Sequence, residues 1–143
     1  MAVVQYNLYN YSMNSLNYPT GYPVHPRNKE RALRLQKEYG FEKIILTEPV
    51  GFLESTALVK NCEKVVTDSG GLQREAFFAG KQCITVLDFV VWPETMVDNM
   101  NQLAKPNANE IVLKLNNPFT INPDYKPFGD AHSAKKIVDE LLK

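Results

Sequence analysis

The residues best suited to chemistry lie together in Val65-Val66-Thr67-Asp68-Ser69-Gly70-Gly71-Leu72-Gln73-Arg74-Glu75. Three apolar or β-branched residues run into Asp68-Ser69, two glycines follow, and a helix-forming stretch then stops at Gly80. This order reads as a strand, a tight turn and a helix. A helix that starts at such a turn has free N–H groups at its first turn, and its dipole favours an anion there. Gly70 and Gly71 allow close approach to the backbone and Ser69 adds a hydroxyl donor, so the chemistry that fits is phosphate binding. Glu75 stands one helical turn beyond Gly71, where it suits the hydroxyls of a ribose. The same residues also make an ordinary helix start, because Asp and Ser are favoured caps. The spacing is neither the G-x-G-x-x-G of a dinucleotide fold nor the Lys-Ser/Thr ending of a P-loop. On residues alone the turn is a phosphate or sugar-phosphate site, with the plain cap as the alternative.

The elements that must hold this turn follow from the pattern on either side. From Tyr22 the chain alternates between short apolar runs and helical periods. Strands are expected at 22–25, 43–47, 64–68 and 82–87, with a weaker one at 111–115. Helices are expected at 28–39, closed by Gly40, at 52–61 and 72–79, and after Gly129-Asp130. The last helix carries an apolar stripe of Ala134, Ile137, Val138, Leu141 and Leu142. Residues 116–130 form a connection rich in Pro and Asn. This alternation predicts an α/β fold, a three-layer Rossmann-like parallel sheet with helices on both faces. Ligands in such sheets bind beyond the carboxyl ends of the strands, which nominates the loops at 47–51, 68–71 and 87–94 on one rim. Residues 1–21 stand apart: Tyr and Asn dominate, and the only charge is the terminal amine. They are expected to be a poorly ordered segment ahead of a domain at 22–143.

Composition narrows the function classes. The chain has 143 residues, 44% of them hydrophobic, which suits one compact domain. Sixteen basic residues balance sixteen acidic ones, so nothing favours nucleic acid or an anionic membrane. Cys62 and Cys83 lack metal-ligand spacing and sit in apolar segments, as expected of buried reduced thiols in a cytoplasmic protein. No metal or cofactor is expected. No apolar run approaches membrane-spanning length, and no basic-then-apolar signal opens the chain.

Several motifs in order resemble the non-hydrolysing UDP-N-acetylglucosamine 2-epimerase family. They are Pro23-Val24-His25-Pro26-Arg27, Glu48-Pro49 with Phe52-Leu53, Thr67-Asp68-Ser69-Gly70-Gly71 with Gln73 and Glu75-Ala76, Gly80-Lys81, Asp88 with Pro93-Glu94, and Pro127-Phe128-Gly129-Asp130. Arg74-Glu75-Ala76-Phe77 and a tryptophan before Pro93 are more similar to the branch acting on UDP-2,3-diacetamido uronic acids. The resemblance implies the C-terminal, UDP-binding half of a two-domain glycosyltransferase-B fold, with the sugar in the cleft between domains. The family reaction is elimination of UDP to a 2-acetamidoglucal, then re-addition with inversion at C2. Carried over, Ser69, Gly70 and Gly71 match diphosphate-binding positions and Glu75 the ribose-binding glutamate. Val50 matches a backbone contact to the nucleotide. Ser55 stands where some members cover uracil with an aromatic ring, and Trp92 where many have a phosphate-contacting arginine. Ala131 replaces a usual glycine. The family's catalytic acids belong to an N-terminal domain that has no counterpart here, so no catalytic residue is assigned and the chain alone is expected to be inactive. Its expected partners are a UDP-sugar, that missing domain and a second copy of itself as a homodimer. The rival readings are a stand-alone nucleotide-sugar-binding module and a fragment of a glycosyltransferase of the same architecture.

Three features carry paired readings. His25, at a strand end on the binding rim, suits either a ligand contact or a hydrogen bond to a loop carbonyl. Phe77-Phe78 is expected to pack in the core. The uncharged run Phe89-Val90-Val91-Trp92 is expected to be a mobile, solvent-accessible segment at the cleft, or part of a contact surface.

Overall fold

The computed structural model describes residues 2–5 and 19–143. Six strands, β1 (Ala2–Gln5), β2 (Thr20–Pro23), β3 (Ile44–Thr47), β4 (Lys64–Thr67), β5 (Gln82–Val86) and β6 (Asn101–Ala104), form one parallel sheet in the order β3-β2-β1-β4-β5-β6. The chain winds outward to β3, then returns past β1 and winds outward again to β6. Between β1 and β4 the direction of winding reverses, and crevices at such switch points are where doubly wound sheets take ligands.

The two faces follow from alternation along the strands. Val66, Ile84 and Val86 point to one face, where they pack with Ala32 and Leu35 of α1 (Lys29–Tyr39) and with Ile111 and Leu115 of α4 (Ala108–Leu115). Val65 and Cys83 point to the other, against Val59 of α2 (Phe52–Asn61) and Leu72 and Ala76 of α3 (Gly70–Phe78). Every residue of β5 is buried, as expected for a strand covered on both faces. Gly40 closes α1 in the left-handed conformation, φ 63°. Both cysteines are buried and outside any disulfide, and burial pushes the Cys83 thiol up to about 12, which leaves it inert near neutral pH.

Three expectations are corrected. Residues 1–21 are not wholly outside the domain. Ala2–Gln5 lies at the centre of the sheet, paired with β4 from Ala2↔Lys64 to Gln5↔Thr67, and buried Thr20 pairs with Ile44. A four-residue strand draws its stability from neighbours on both sides, which a local pattern does not reveal. The tyrosine and asparagine run at 6–18 lies outside the described residues. The strand expected at 111–115 is the second half of α4. Asn107 Oδ1 caps it by accepting from the Glu110 amide at 3.1 Å, and Ile111 and Leu115 share one buried helical face. The sixth strand is instead the polar Asn101-Gln102-Leu103-Ala104. Phe77 and Phe78 are not core: Phe78 is 64% exposed, and both rings join Phe128 in an aromatic cluster on the surface.

The final helix, α5 (Ser133–Leu141), forms as expected but buries none of its residues. Ala131, just ahead of it, takes φ 63°, a conformation that favours glycine.

Replacing Asn107 with alanine should remove the α4 cap and lower stability by about 1 kcal/mol. Urea unfolding of the pair checks this. An unchanged midpoint would mean that the segment draws nothing from a helical start.

Candidate functional site

The Ser69–Gly71 turn leaves the carboxyl end of β4 beside the switch point. Thr67 Oγ1 accepts from the Ser69 amide at 3.0 Å and fixes the exit from the strand. Ser69 is the N-cap of α3, and its Oγ accepts from the Leu72 amide at 3.4 Å. The cap reading of the sequence therefore holds, and it does not compete with the anion reading. With Leu72 served, the amides of Gly70 and Gly71 remain as the helix's outward donors. Glu75 is half-buried one turn further on, with no side-chain ion pair among the described residues.

The two glycines do different jobs. A Cβ on Gly70 would lie 2.9 Å from Val91 Cγ1 and 3.5 Å from Trp92 Nε1, so the protein's own loop fills that space. A Cβ on Gly71 would meet only Ser69 Oγ, at 3.5 Å. Gly71 is the exposed one and is open to a ligand.

Trp92 departs from expectation. It is half-buried rather than free, and its Nε1 donates to the Gly70 carbonyl at 3.0 Å. Its ring meets Phe128 edge-on at 5.9 Å, and the Arg74 guanidinium carbon lies 4.7 Å from the ring centre. Phe89 and Val90, at the tip of the same run, are exposed as expected. The anchor for Trp92 is a polar network that the sequence reading missed. Gln73 Nε2 donates to Thr95 Oγ1 at 2.7 Å, and Thr95 Oγ1 donates to the Trp92 carbonyl at 2.8 Å. Asn101 Nδ2 reaches Thr95 Oγ1 at 3.4 Å, and Thr85 donates to Asn101 Oδ1 at 2.8 Å. Gln73 Oε1 finds no donor among the described residues. The available signal was Gln73 itself, a polar residue on the inward face of a short helix.

The remaining predicted residues share the rim but not the turn. His25 is exposed at the end of β2, where Nδ1 accepts from the Arg27 amide at 3.3 Å. The bond is local, but its partner is the Arg27 amide rather than a loop carbonyl. Val50 and Ser55 are half-buried around the start of α2, where the Gly51 amide donates to Glu54 Oε2 at 2.6 Å. From β4, β2 is two strand spacings away and β3 three, roughly 10 and 14 Å. None of the three touches Ser69 or Glu75 in the described contacts, so only an elongated ligand would meet both groups. The rim is electrically continuous nonetheless. Burial pushes the Tyr22 phenol above its ordinary range, a hydrogen bond with Asn28 opposes this, and the Asp68 carboxylate adds to the rise. The described residues contain no cluster of His, Cys, Asp and Glu able to hold a metal ion, and no helix long and apolar enough to cross a membrane.

With this geometry in view, the comparisons are specific. The family described as UDP-N-acetylglucosamine 2-epimerase matches residues 8–142. A UDP-N-acetylglucosamine 2-epimerase homolog of Methanococcus maripaludis is 36% identical over 125 residues, covering 84% of this chain and 35% of the relative. A UDP-2,3-diacetamido-2,3-dideoxy-D-glucuronate 2-epimerase of Pseudomonas aeruginosa is 34% identical over 127 residues, covering 87% and 35%. The UDP-GlcNAc 2-epimerase of Methanocaldococcus jannaschii superposes with a TM-score of 0.75 at 27% identity, over 99% of this chain and 45% of that one. The same enzyme in complex with UDP-GlcNAc and UDP gives 0.72. An Escherichia coli heptosyltransferase with ADP, at 15% identity and a TM-score of 0.51, shares the fold alone. The chain thus spans about a third of the length of the curated relatives it matches.

Alanine at Gly70 and at Gly71 should separate the two roles. At Gly70 it must displace Val91 and Trp92, with a cost of about 1–3 kcal/mol and a changed tryptophan emission. At Gly71 it should leave stability and emission unchanged. Equal effects at the two positions, read by urea unfolding and fluorescence, would contradict this division.

Proposed function

The chain belongs to the UDP-N-acetylglucosamine 2-epimerase family, and from that premise we propose that it is the UDP-binding part of a nucleotide-sugar 2-epimerase. The observation that carries the reading is the open first turn of α3, with the Gly70 and Gly71 amides unused among the described residues at the switch point of the sheet. In this reading Ser69, Gly70 and Gly71 receive the diphosphate and Glu75 the ribose. Val50 and Ser55 lie toward the base across the rim, and His25 offers Nε2–H to the ligand. The site sits in the cytoplasm, where reduced thiols such as Cys62 and Cys83 persist.

The reaction would proceed by removal of the C2 proton as the bond from C1 to the UDP oxygen breaks. UDP then adds back to C1 as a proton returns to the opposite face of C2. This chain's share is the leaving group: amides aimed at the diphosphate stabilise the charge that develops on it. The proton transfers require a placed acid and base, which the described residues near the turn do not supply. That division favours a chain that binds but does not turn over by itself, with the remaining length of its relatives supplying the rest.

Two outcomes are expected. In an NMR titration with millimolar UDP, the amides of residues 69–75 should shift, and Gly71→Val should abolish the response by closing the open side of the turn. Shifts confined to other residues would refute the site. The purified chain, free of host epimerase, should not interconvert UDP-2-acetamido sugars at C2; detectable turnover would refute the division of labour.

A further inference from the structure

We propose that Arg74 is the side chain that meets the ligand's diphosphate, with Trp92 as its positioning residue; this rests on reading the turn as a nucleotide-sugar site. Side chains on a helix lean toward its N-terminus, and Arg74 follows Gly70 by four residues, so it rises over the first turn of α3. There its guanidinium carbon lies 4.7 Å from the centre of the Trp92 ring, within cation–π range. The platform is fixed on several sides. Nε1 of Trp92 donates to the Gly70 carbonyl, its carbonyl accepts from Thr95, and its ring abuts Phe128. An arginine placed by such a surface is restricted in orientation before any ligand arrives.

Among the described residues its charge meets the Trp92 ring but no carboxylate. Arg74 is half-buried, yet among the described residues no carboxylate pairs with it, and the adjacent Glu75 forms no ion pair with it. A guanidinium held against an aromatic ring can keep an edge of N–H donors for another partner. That edge is a rigid fork of donors matched to the oxygens of a phosphate. The loop from Phe89 to Trp92 brings no cation of its own to the turn. Two anion-selecting features therefore lie within about one helical turn of each other: the Gly70 and Gly71 amides, and a guanidinium held against the residue that packs on Gly70.

The sugar could also present an anion, a carboxylate, so the test separates the two sources. The full chain is titrated by NMR with UDP, UDP-N-acetylglucosamine and UDP-glucuronate, as wild type, Arg74→Gln, Trp92→Leu and Gly71→Val. The expected result is that Arg74→Gln weakens all three ligands by a similar factor of about ten, consistent with losing one charge-assisted contact. It should also flatten the dependence of UDP affinity on salt, which a loss of packing alone would not do. Trp92→Leu should weaken binding in the same sense, and wild-type affinity in that variant would remove Trp92 from the positioning role. A loss confined to UDP-glucuronate would assign Arg74 to the sugar carboxylate and overturn the diphosphate contact. Unchanged affinities in Arg74→Gln, with Gly71→Val still abolishing binding, would overturn the proposal and leave the nucleotide site standing. Absence of binding by the wild type would remove both.

Discussion

At Gly70 the chain leaves out a side chain, and Val91 comes to within 2.9 Å of where its Cβ would be. The arrangement of the site depends on this approach. Only a glycine lets the loop after β5 lie against the first turn of α3, and only from there can the Trp92 indole reach the Gly70 carbonyl. Once seated, the loop covers one side of the turn and leaves the Gly71 side open. One glycine makes room for the protein's own loop and its neighbour faces open space, although both look alike in a sequence.

The loop is held from beneath by side chains that hydrophobic patterning would not select. Thr85, Asn101, Thr95 and Gln73 form a buried polar chain running from β5 and β6 to the carbonyl of Trp92. Such a chain specifies one arrangement well when its members are satisfied, and is costly to break because water cannot replace a lost partner. It also explains how Asn101 and Gln102 occupy a strand. Gln102 is buried but donates to the Lys114 carbonyl at 2.9 Å and accepts from Asn117 at 2.7 Å.

These cases mark where a sequence reading succeeds and where it stops. Strands β3, β4 and β5, helices α1, α2 and α3, and the Ser69–Gly71 turn were legible because each carries its own signal, an apolar run, a period or a glycine stop. Ile111 to Leu115 was misread because an apolar run of five fits a strand or a buried helix equally, and the deciding residue, Asn107, lies outside it. The polar β6 and the four-residue β1 depend on partners far along the chain. The place of Trp92 was hidden for a related reason. Its neighbours Phe89 and Val90 are exposed, and nothing local says that the next two residues fold back onto α3.

The central position of β1 has a consequence for the order in which this sheet can assemble. Ala2 pairs on one side with Thr20 and on the other with Lys64. Strands β2 and β4 are therefore never neighbours, and the two halves of the sheet join only through β1. The local units, β2 with β3 and β4 with β5, each close short loops. The pairing of β1 with β4 must close a loop that contains both β2 and β3, and the entropy of closure grows with the chain enclosed. Parallel sheets built on such distant contacts fold slowly. Of the five strand pairings, β1 with β4 thus encloses the most chain, and the switch-point crevice is complete only when that closure is made.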